Sequence, residues 1–222
     1  RLLDLLLQGH ALFCGGPLFA LPLPLHAAAS TANQASWQQI RERGVLRVGL
    51  PGDYAPYALA AADEPLGIDV ALAREIAATL GLGVEFVHTS WGSLMADARS
   101  GRFDMAVGGI SITPERRREQ RFTRAHLRDH KAPLVRCGEE SRYDSLREIN
   151  SPSVRVVVNP GGTNERFARS KLPAAMLTVH PENRTVAAEV LAHRADVFVT
   201  DEVEGQLLSG LNSGLCVATR AP

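Results

Sequence analysis

Three segments of this sequence carry side chains that could hold and transform a small organic anion. The first is Thr113-Pro114-Glu115-Arg116-Arg117-Arg118, shortly after the glycine pair Gly108-Gly109. An arginine fork beside backbone NH groups can bind both oxygens of a carboxylate at once. One of the three arginines, Arg116 to Arg118, is expected to face a ligand; the same run also reads as a solvated first turn of a helix. The second segment is Asn159-Pro160-Gly161-Gly162-Thr163-Asn164, between a β-branched run and a helical one. Free NH groups at a helix start point towards an anion, and Thr163 or Asn164 can add side-chain bonds or act as an ordinary N-cap. The third is Thr200-Asp201-Glu202-Val203-Glu204, where Asp201 and Glu204 are spaced to share a helical face. An acid there could bind an ammonium group. If desolvated it could instead stay protonated and act as a proton donor, and the plain alternative is a first turn complementing the helix dipole.

Around these lie Tyr54, Tyr57 and Trp91, which could wall a flat ligand or simply pack. The phosphate-loop ending Gly-Lys-Ser/Thr is missing after Gly162. The histidines, including the pair His126 and His130, show no metal-ligand spacing, so no metal and no cofactor is expected. No nucleophile–base signature is present.

These residues need a scaffold, and the hydrophobic pattern describes one. Val45–Leu50, Val84–His88 and Phe103–Val107 read as strands. Gln38–Arg43, Val70–Leu80 and Trp91–Ser100 read as helices, the first two stopped by Gly44 and Gly81. This alternation describes an open parallel sheet with helices on its faces, which binds ligands at the carboxyl ends of its strands. A similar pattern then restarts. Strands are expected at 134–137, 154–158, 176–180 and 195–199, with helices at 143–148, 165–171 and 185–192. Two α/β lobes follow, residues 37–133 and 134–216, with the ligand in the cleft between them and residues 217–222 beginning a return to the first lobe.

Composition agrees with a globular protein: 222 residues, 45% hydrophobic and 22% charged. Basic and acidic residues balance at 24 each, which argues against nucleic acid or an anionic membrane surface as partner. Residues 1–29 differ from the rest. Arg1 and a leucine-rich stretch lead into an apolar segment broken by Gly15, Gly16, Pro17, Pro22 and Pro24, then Ala27-Ala28-Ala29-Ser30. This reads as a secretory signal peptide rather than a spanning helix, placing the mature protein in an exported compartment, with no membrane insertion after the signal is removed. If Cys14 leaves with the signal, Cys137 and Cys216 remain, either as one disulfide or as two buried thiols.

Several strings give the pattern a family likeness: Gly44-Val45-Leu46-Arg47-Val48-Gly49, Gly67-Ile68-Asp69-Val70, Phe103-Asp104-Met105-Ala106, Ile112-Thr113-Pro114-Glu115-Arg116, and Ala195-Asp196 before Thr200-Asp201. From about Trp37 onward the chain resembles the family 3 extracellular solute-binding proteins, the amino-acid receptors of ABC importers. That resemblance implies the type II periplasmic-binding-protein-like fold, Arg116 on the ligand carboxylate with Thr163 assisting, and Asp201 on an amino group. A nearer likeness is to an enzyme branch of the fold, the periplasmic cyclohexadienyl dehydratases. It rests on Gly52-Asp53-Tyr54, Thr89-Ser90-Trp91, Leu127-Arg128-Asp129, Val158 through Arg169, His180-Pro181-Glu182-Asn183, Thr200-Asp201 through Glu204, and Cys137 with Cys216.

This likeness implies removal of water and carbon dioxide from prephenate or arogenate in the periplasm, with no cofactor. Glu204 would be the general acid and Asn164 an active-site residue, while Lys131 and Asn164 are placed to hydrogen-bond Glu204 or the leaving oxygen. Trp91, Tyr54 and Gly109 would complete the substrate contacts. Two departures stand out: Gly108 replaces a serine common in that branch, and the chain stops at Pro222, where the family continues back into the first lobe. The alternative function is a non-catalytic amino-acid receptor delivering to a membrane permease.

Overall fold

The computed structural model describes residues 36–61 and 64–218. The expected signal peptide, Cys14 and the last four residues lie outside them.

The chain enters through helix α1 (Trp37–Arg43), which opens on a capping box. Ser36 Oγ accepts from the Gln39 NH at 3.3 Å, and the Gln39 side chain accepts from the Ser36 NH at 2.7 Å. Gly44, at φ 71°, ends it in the left-handed conformation. Strand β1 (Val45–Leu50) then pairs in parallel with β4 (Gly83–His88) on one side and β5 (Met105–Ala106) on the other. A short antiparallel pair, β2 (Asp53–Tyr54) with β3 (Ala58–Leu59), projects from the carboxyl end of β1. Leu46, Val48 and Leu50 alternate onto one face and pack against Val70, Ala73 and Ala77 of α2 (Ile68–Thr79).

Two elements are shorter than the pattern suggests. Helix α3 (Leu94–Arg99) starts three residues late, because Ser90 and Ser93 bond each other's backbone NH in a polar turn. The third strand shrinks to β5 because its flanks have other partners. The Phe103 ring lies over Gly49, and Asp104 takes the Arg47 NH at 2.8 Å together with the Arg43 and Arg47 guanidinium groups. Helix α4 (Pro114–Glu119) follows the glycine pair.

The second half builds a five-stranded sheet in the order β10-β6-β9-β7-β8. Strands β7 (Arg155–Val158), β8 (Met176–Val179) and β9 (Val197–Asp201) run parallel, whereas β6 (Lys131–Arg136) and β10 (Leu215–Val217) are antiparallel to their neighbours. The boundary expected after residue 133 therefore falls inside a strand: Lys131, Ala132 and Pro133 already pair with Asp201, Thr200 and Val199. Likewise Val217, expected to begin the return, completes β10 opposite Leu134.

Alternation splits this sheet's apolar residues between two layers. Val135, Val156, Val158, Val197 and Val199 face α6 (Thr163–Lys171) through Ala168. Leu134, Val157, Phe198 and Leu215 face α7 (Val186–Leu191) through Val186 and Val190. Helix α5 (Leu146–Ile149), two 3₁₀ turns (Glu140–Arg142 and Asn183–Thr185) and α8 (Glu202–Leu211) complete the elements. Cys137 and Cys216 form a disulfide with Cα atoms 4.8 Å apart, resolving the two readings of the cysteines. It joins the end of β6 to β10.

Candidate active site

The carboxyl ends of β1, β7 and β9 converge on a narrow cleft between the two sheets. From the first sheet's side come Tyr54, Trp91, Gly109, Ser111 and Arg116. From the second come Asn159, Gly162, Thr163, Asn164, Asn183, Asp201 and Glu204. The halves approach closely. A Cβ on Gly161, which sits at φ 71°, would lie 2.8 Å from the Gly92 backbone nitrogen.

On the first side, Thr113 caps α4 by accepting from the Arg116 NH at 3.3 Å, with Pro114 at N1. That cap turns Arg116 inward. It is 4% exposed, while Arg117 and Arg118 are exposed to solvent. Its Nη1 donates to the Ser111 carbonyl at 2.9 Å. Burial and the charge of Arg166 both weaken its hold on its proton, so an anion in the cleft would relieve both. Gly109 sits at φ 69°, where a Cβ would meet the Tyr54 ring at 2.5 Å. Its NH and that of Gly108 donate to Asp69 Oδ2 at 2.8 and 2.9 Å, which sets the turn. The aromatic wall is present: the Tyr54 and Tyr57 rings lie 5.1 Å apart, and Trp91 meets Tyr54 edge-on at 6.0 Å. Trp91 Nε1 donates to Asp53 Oδ1 at 2.8 Å, and burial raises the Asp53 pKa.

On the second side, Lys131 at the start of β6 ties three segments together. Its Nζ donates to Thr163 Oγ1 at 2.8 Å, to Asp201 Oδ1 at 2.5 Å and to the Asn164 side-chain Oδ1. Asn164 Nδ2 donates in turn to Asn159 Oδ1 at 2.8 Å. Asp201 Oδ2 accepts from the Tyr54 hydroxyl at 2.9 Å, so both Asp201 oxygens are engaged.

Glu204 lies in the first turn of α8, 6% exposed, and accepts from the hydroxyl of Thr200. A helix N-terminus favours a carboxylate, yet desolvation outweighs it here. Burial first, then the charges of Asp201 and Asp53, push its pKa up to about 8, against the opposing Thr200 bond and Lys131 charge. The cleft thus offers a buried cation from the first side and, from the second, a buried carboxyl whose pKa is raised.

All nine expected ligand-facing and catalytic positions meet here: eight line the cleft, and Lys131 reaches it through Thr163, Asn164 and Asp201. One detail differs. The hydrogen bond to Glu204 among the described residues comes from Thr200, because Lys131 is drawn to Asp201. Asp53, Ser111, Asn159, Asn183 and Thr200 were not expected. Asn159 and Thr200 fall in the segments singled out for chemistry, and Asp53 and Asn183 in the strings that carry the dehydratase likeness, but none was given a role of its own.

The profile of the bacterial extracellular solute-binding proteins, family 3, matches residues 46–215. The chain belongs to this family. Among family relatives, the cyclohexadienyl dehydratase of Pseudomonas aeruginosa is 42% identical over 193 residues, 86% of this chain and 72% of that protein. A crystal structure of an ancestral amino acid-binding protein, a precursor of cyclohexadienyl dehydratase, matches with TM-score 0.77 and 32% identity, over 83% of this chain and 81% of its own. An amino acid ABC transporter substrate-binding protein from Streptococcus pneumoniae, bound to L-arginine, matches with TM-score 0.76 and 27% identity, over 83% and 78%. This family 3 solute-binding protein therefore has the two-lobed α/β fold of a small-molecule binder. No helix among the described residues is long and apolar enough to cross a membrane.

Proposed function

We propose that this chain is an exported, periplasmic cyclohexadienyl dehydratase acting on prephenate and arogenate, with Glu204 as general acid. The observation that carries this reading is a carboxyl, Glu204, buried in the cleft of a solute-binding fold where desolvation raises its pKa, together with the 42% identity to a protein named for that activity. The ring hydroxyl of such a substrate leaves poorly unless protonated. Glu204 gives its proton to that oxygen, the carbon–oxygen bond breaks, and water departs. The ring carboxylate leaves as carbon dioxide, its bonding electrons completing the aromatic ring, and Glu204 regains a proton from solvent. Prephenate gives phenylpyruvate and arogenate gives phenylalanine. Arg116 grips the side-chain carboxylate, leaving the ring carboxylate free to depart. Lys131 holds Thr163, Asn164 and Asp201 around the reacting ring. The two lobes are residues 37–130 and 131–217, and residues 1–29 act as the export signal.

A receptor for an amino acid is the second reading, favoured by the likeness to amino acid-binding structures. It needs Asp201 for the ligand's ammonium group, but here Lys131 already sits on that carboxylate at 2.5 Å. The test is phenylpyruvate formation from prephenate by wild-type protein and Glu204→Gln. The dehydratase reading expects turnover that the substitution reduces by roughly 10²–10⁴-fold. A wild-type protein that forms no phenylpyruvate but binds an amino acid tightly returns the chain to the receptors.

A further inference from the structure

Asn183 opens the 3₁₀ turn Asn183–Thr185, is 6% exposed, and lines the same cleft as Glu204. Its amide nitrogen donates to the Asp53 backbone carbonyl of the other lobe at 2.9 Å. A backbone carbonyl can only accept, so the amide's orientation is determined: Nδ2 must face Asp53, and Oδ1 must face away. That Oδ1 is buried and has no hydrogen-bond partner among the described residues. Buried acceptors are nearly always satisfied in native proteins, and Asn183 lines the ligand cleft, so a donor on the ligand is the natural partner for this one.

We infer that Asn183 Oδ1 accepts a hydrogen bond from the ring hydroxyl of the bound substrate, an inference that rests on the dehydratase reading. The other donors a substrate could bring are fewer than they look. Carboxylates donate nothing, nor does the keto group in prephenate's side chain, so its ring hydroxyl is the donor available. Holding that hydrogen fixes the hydroxyl rotor and leaves the oxygen's lone pairs for the proton of Glu204. The contact to Asp53 crosses between lobes, so closure itself sets the acceptor in place. Asn183 would thereby be a substrate-contacting residue that recognises an alcohol, distinct in role from the acid.

The test uses Asn183→Leu, close in size and without polar atoms, against wild type. It compares turnover of prephenate and arogenate with binding of phenylpyruvate, which lacks the ring hydroxyl. We expect kcat/KM to fall about 10- to 100-fold for both substrates, the loss of one buried polar contact, while phenylpyruvate binding stays within about threefold. Retained phenylpyruvate binding also shows that the variant folds and closes. Equal loss for phenylpyruvate makes Asn183 only a latch between lobes and overturns the inference. Loss confined to arogenate moves the contact to the ammonium group and overturns it too, as does unchanged turnover. Wild-type protein inert towards both substrates would sink the dehydratase reading itself, a result distinct from an unaffected variant.

Discussion

The two lobes bring unlike resources to one cleft. The second has a five-stranded sheet buried on both faces, with a disulfide tying its edge. The first has a three-stranded sheet, a short two-stranded pair and one main apolar layer. Beside its edge strand β5 runs an open groove of about 600 Å³, walled by Leu72, Ile76, Met105, Ile110, Ile112 and Phe122. The irregular segment 121–130 borders that groove and is mostly exposed. The difference teaches where precision is needed. A raised carboxyl pKa depends on close, dry packing, and Glu204 rises from the two-layered lobe. Arg116, a charged fork, can serve from the single-layered one, since a charge-assisted bond tolerates small displacements better than a desolvated acid does.

If that division holds, substitutions on the two sides separate kinetically. Glu204→Gln lowers kcat by roughly 10²–10⁴-fold with KM little changed, because it removes only a transition-state interaction. Arg116→Leu instead raises KM by about 10- to 100-fold, losing a charge-assisted grip made in both ground and transition states. Steady-state kinetics on prephenate decides this. A variant Arg116→Leu that loses kcat and keeps KM would place the chemistry on both lobes and break the comparison.

The disulfide gives the next effect. It spans 79 residues of sequence, and the chain-entropy relation assigns such a loop about 4.5 kcal/mol of stabilisation. Reduction, or the double substitution Cys137→Ser with Cys216→Ser, should lower the urea midpoint mainly through the second lobe. Hydrogen exchange would show β6, β9 and β10 losing protection while β1 and β4 keep theirs. Uniform loss across both sheets would mean that the lobes unfold as one unit.

Much of this was legible in the sequence, and the limits have physical causes. Glycine stops and β-branched runs marked β1, α1, β4, β7 and β8 to within a residue or so. The strand β5 was overextended because Phe103 and Val107 look like strand residues, while the Gly49 contact and the Asp104 ion pairs that compete for them are made across about 50 residues of chain. The antiparallel placement of β6 and the presence of β10 depend on pairing partners far apart in sequence, which periodicity does not record. Among site residues, those with charge or motif context stood out. Asn183 and Thr200 lay in quoted strings but were assigned no role, because their importance lies in a contact to Asp53 and another to Glu204 that only the fold creates.

Closure between the lobes can be tested at a single atom. Gly161→Ala places a methyl group 2.8 Å from the Gly92 nitrogen at a residue with φ 71°. The left-handed conformation costs a non-glycine residue about 1–2 kcal/mol, and the clash falls on backbone rather than on a side chain that could move aside. We expect kcat/KM to fall about 10- to 30-fold and small-angle scattering with ligand to report a more open particle, while the first lobe's stability is unchanged. Wild-type turnover by this variant would show that tight approach at Gly92 is dispensable.

The smallest effect near neutral pH, and the most diagnostic, is the titration of Glu204 itself. Its pKa is raised to about 8 from a reference of 4.5, so the protonated form, the one the proposed mechanism uses, is favoured at neutral pH. The kcat profile should be flat from about pH 6 to 7.5 and fall about tenfold by pH 9 as the acid is lost. Stability carries the same sign: between the unfolded value of 4.5 and about 8 the folded protein binds the extra proton, so this group's contribution is full below 4.5 and is lost as pH rises through 8. Shifting the desolvation should shift the profile. Thr200→Val removes the hydroxyl that stabilises the ionised carboxylate, so the limb should move to higher pH. A limb that stays put in Thr200→Val would belong to another group, and the acid would have to be sought elsewhere in the cleft, Asp53 being the next carboxyl raised by burial.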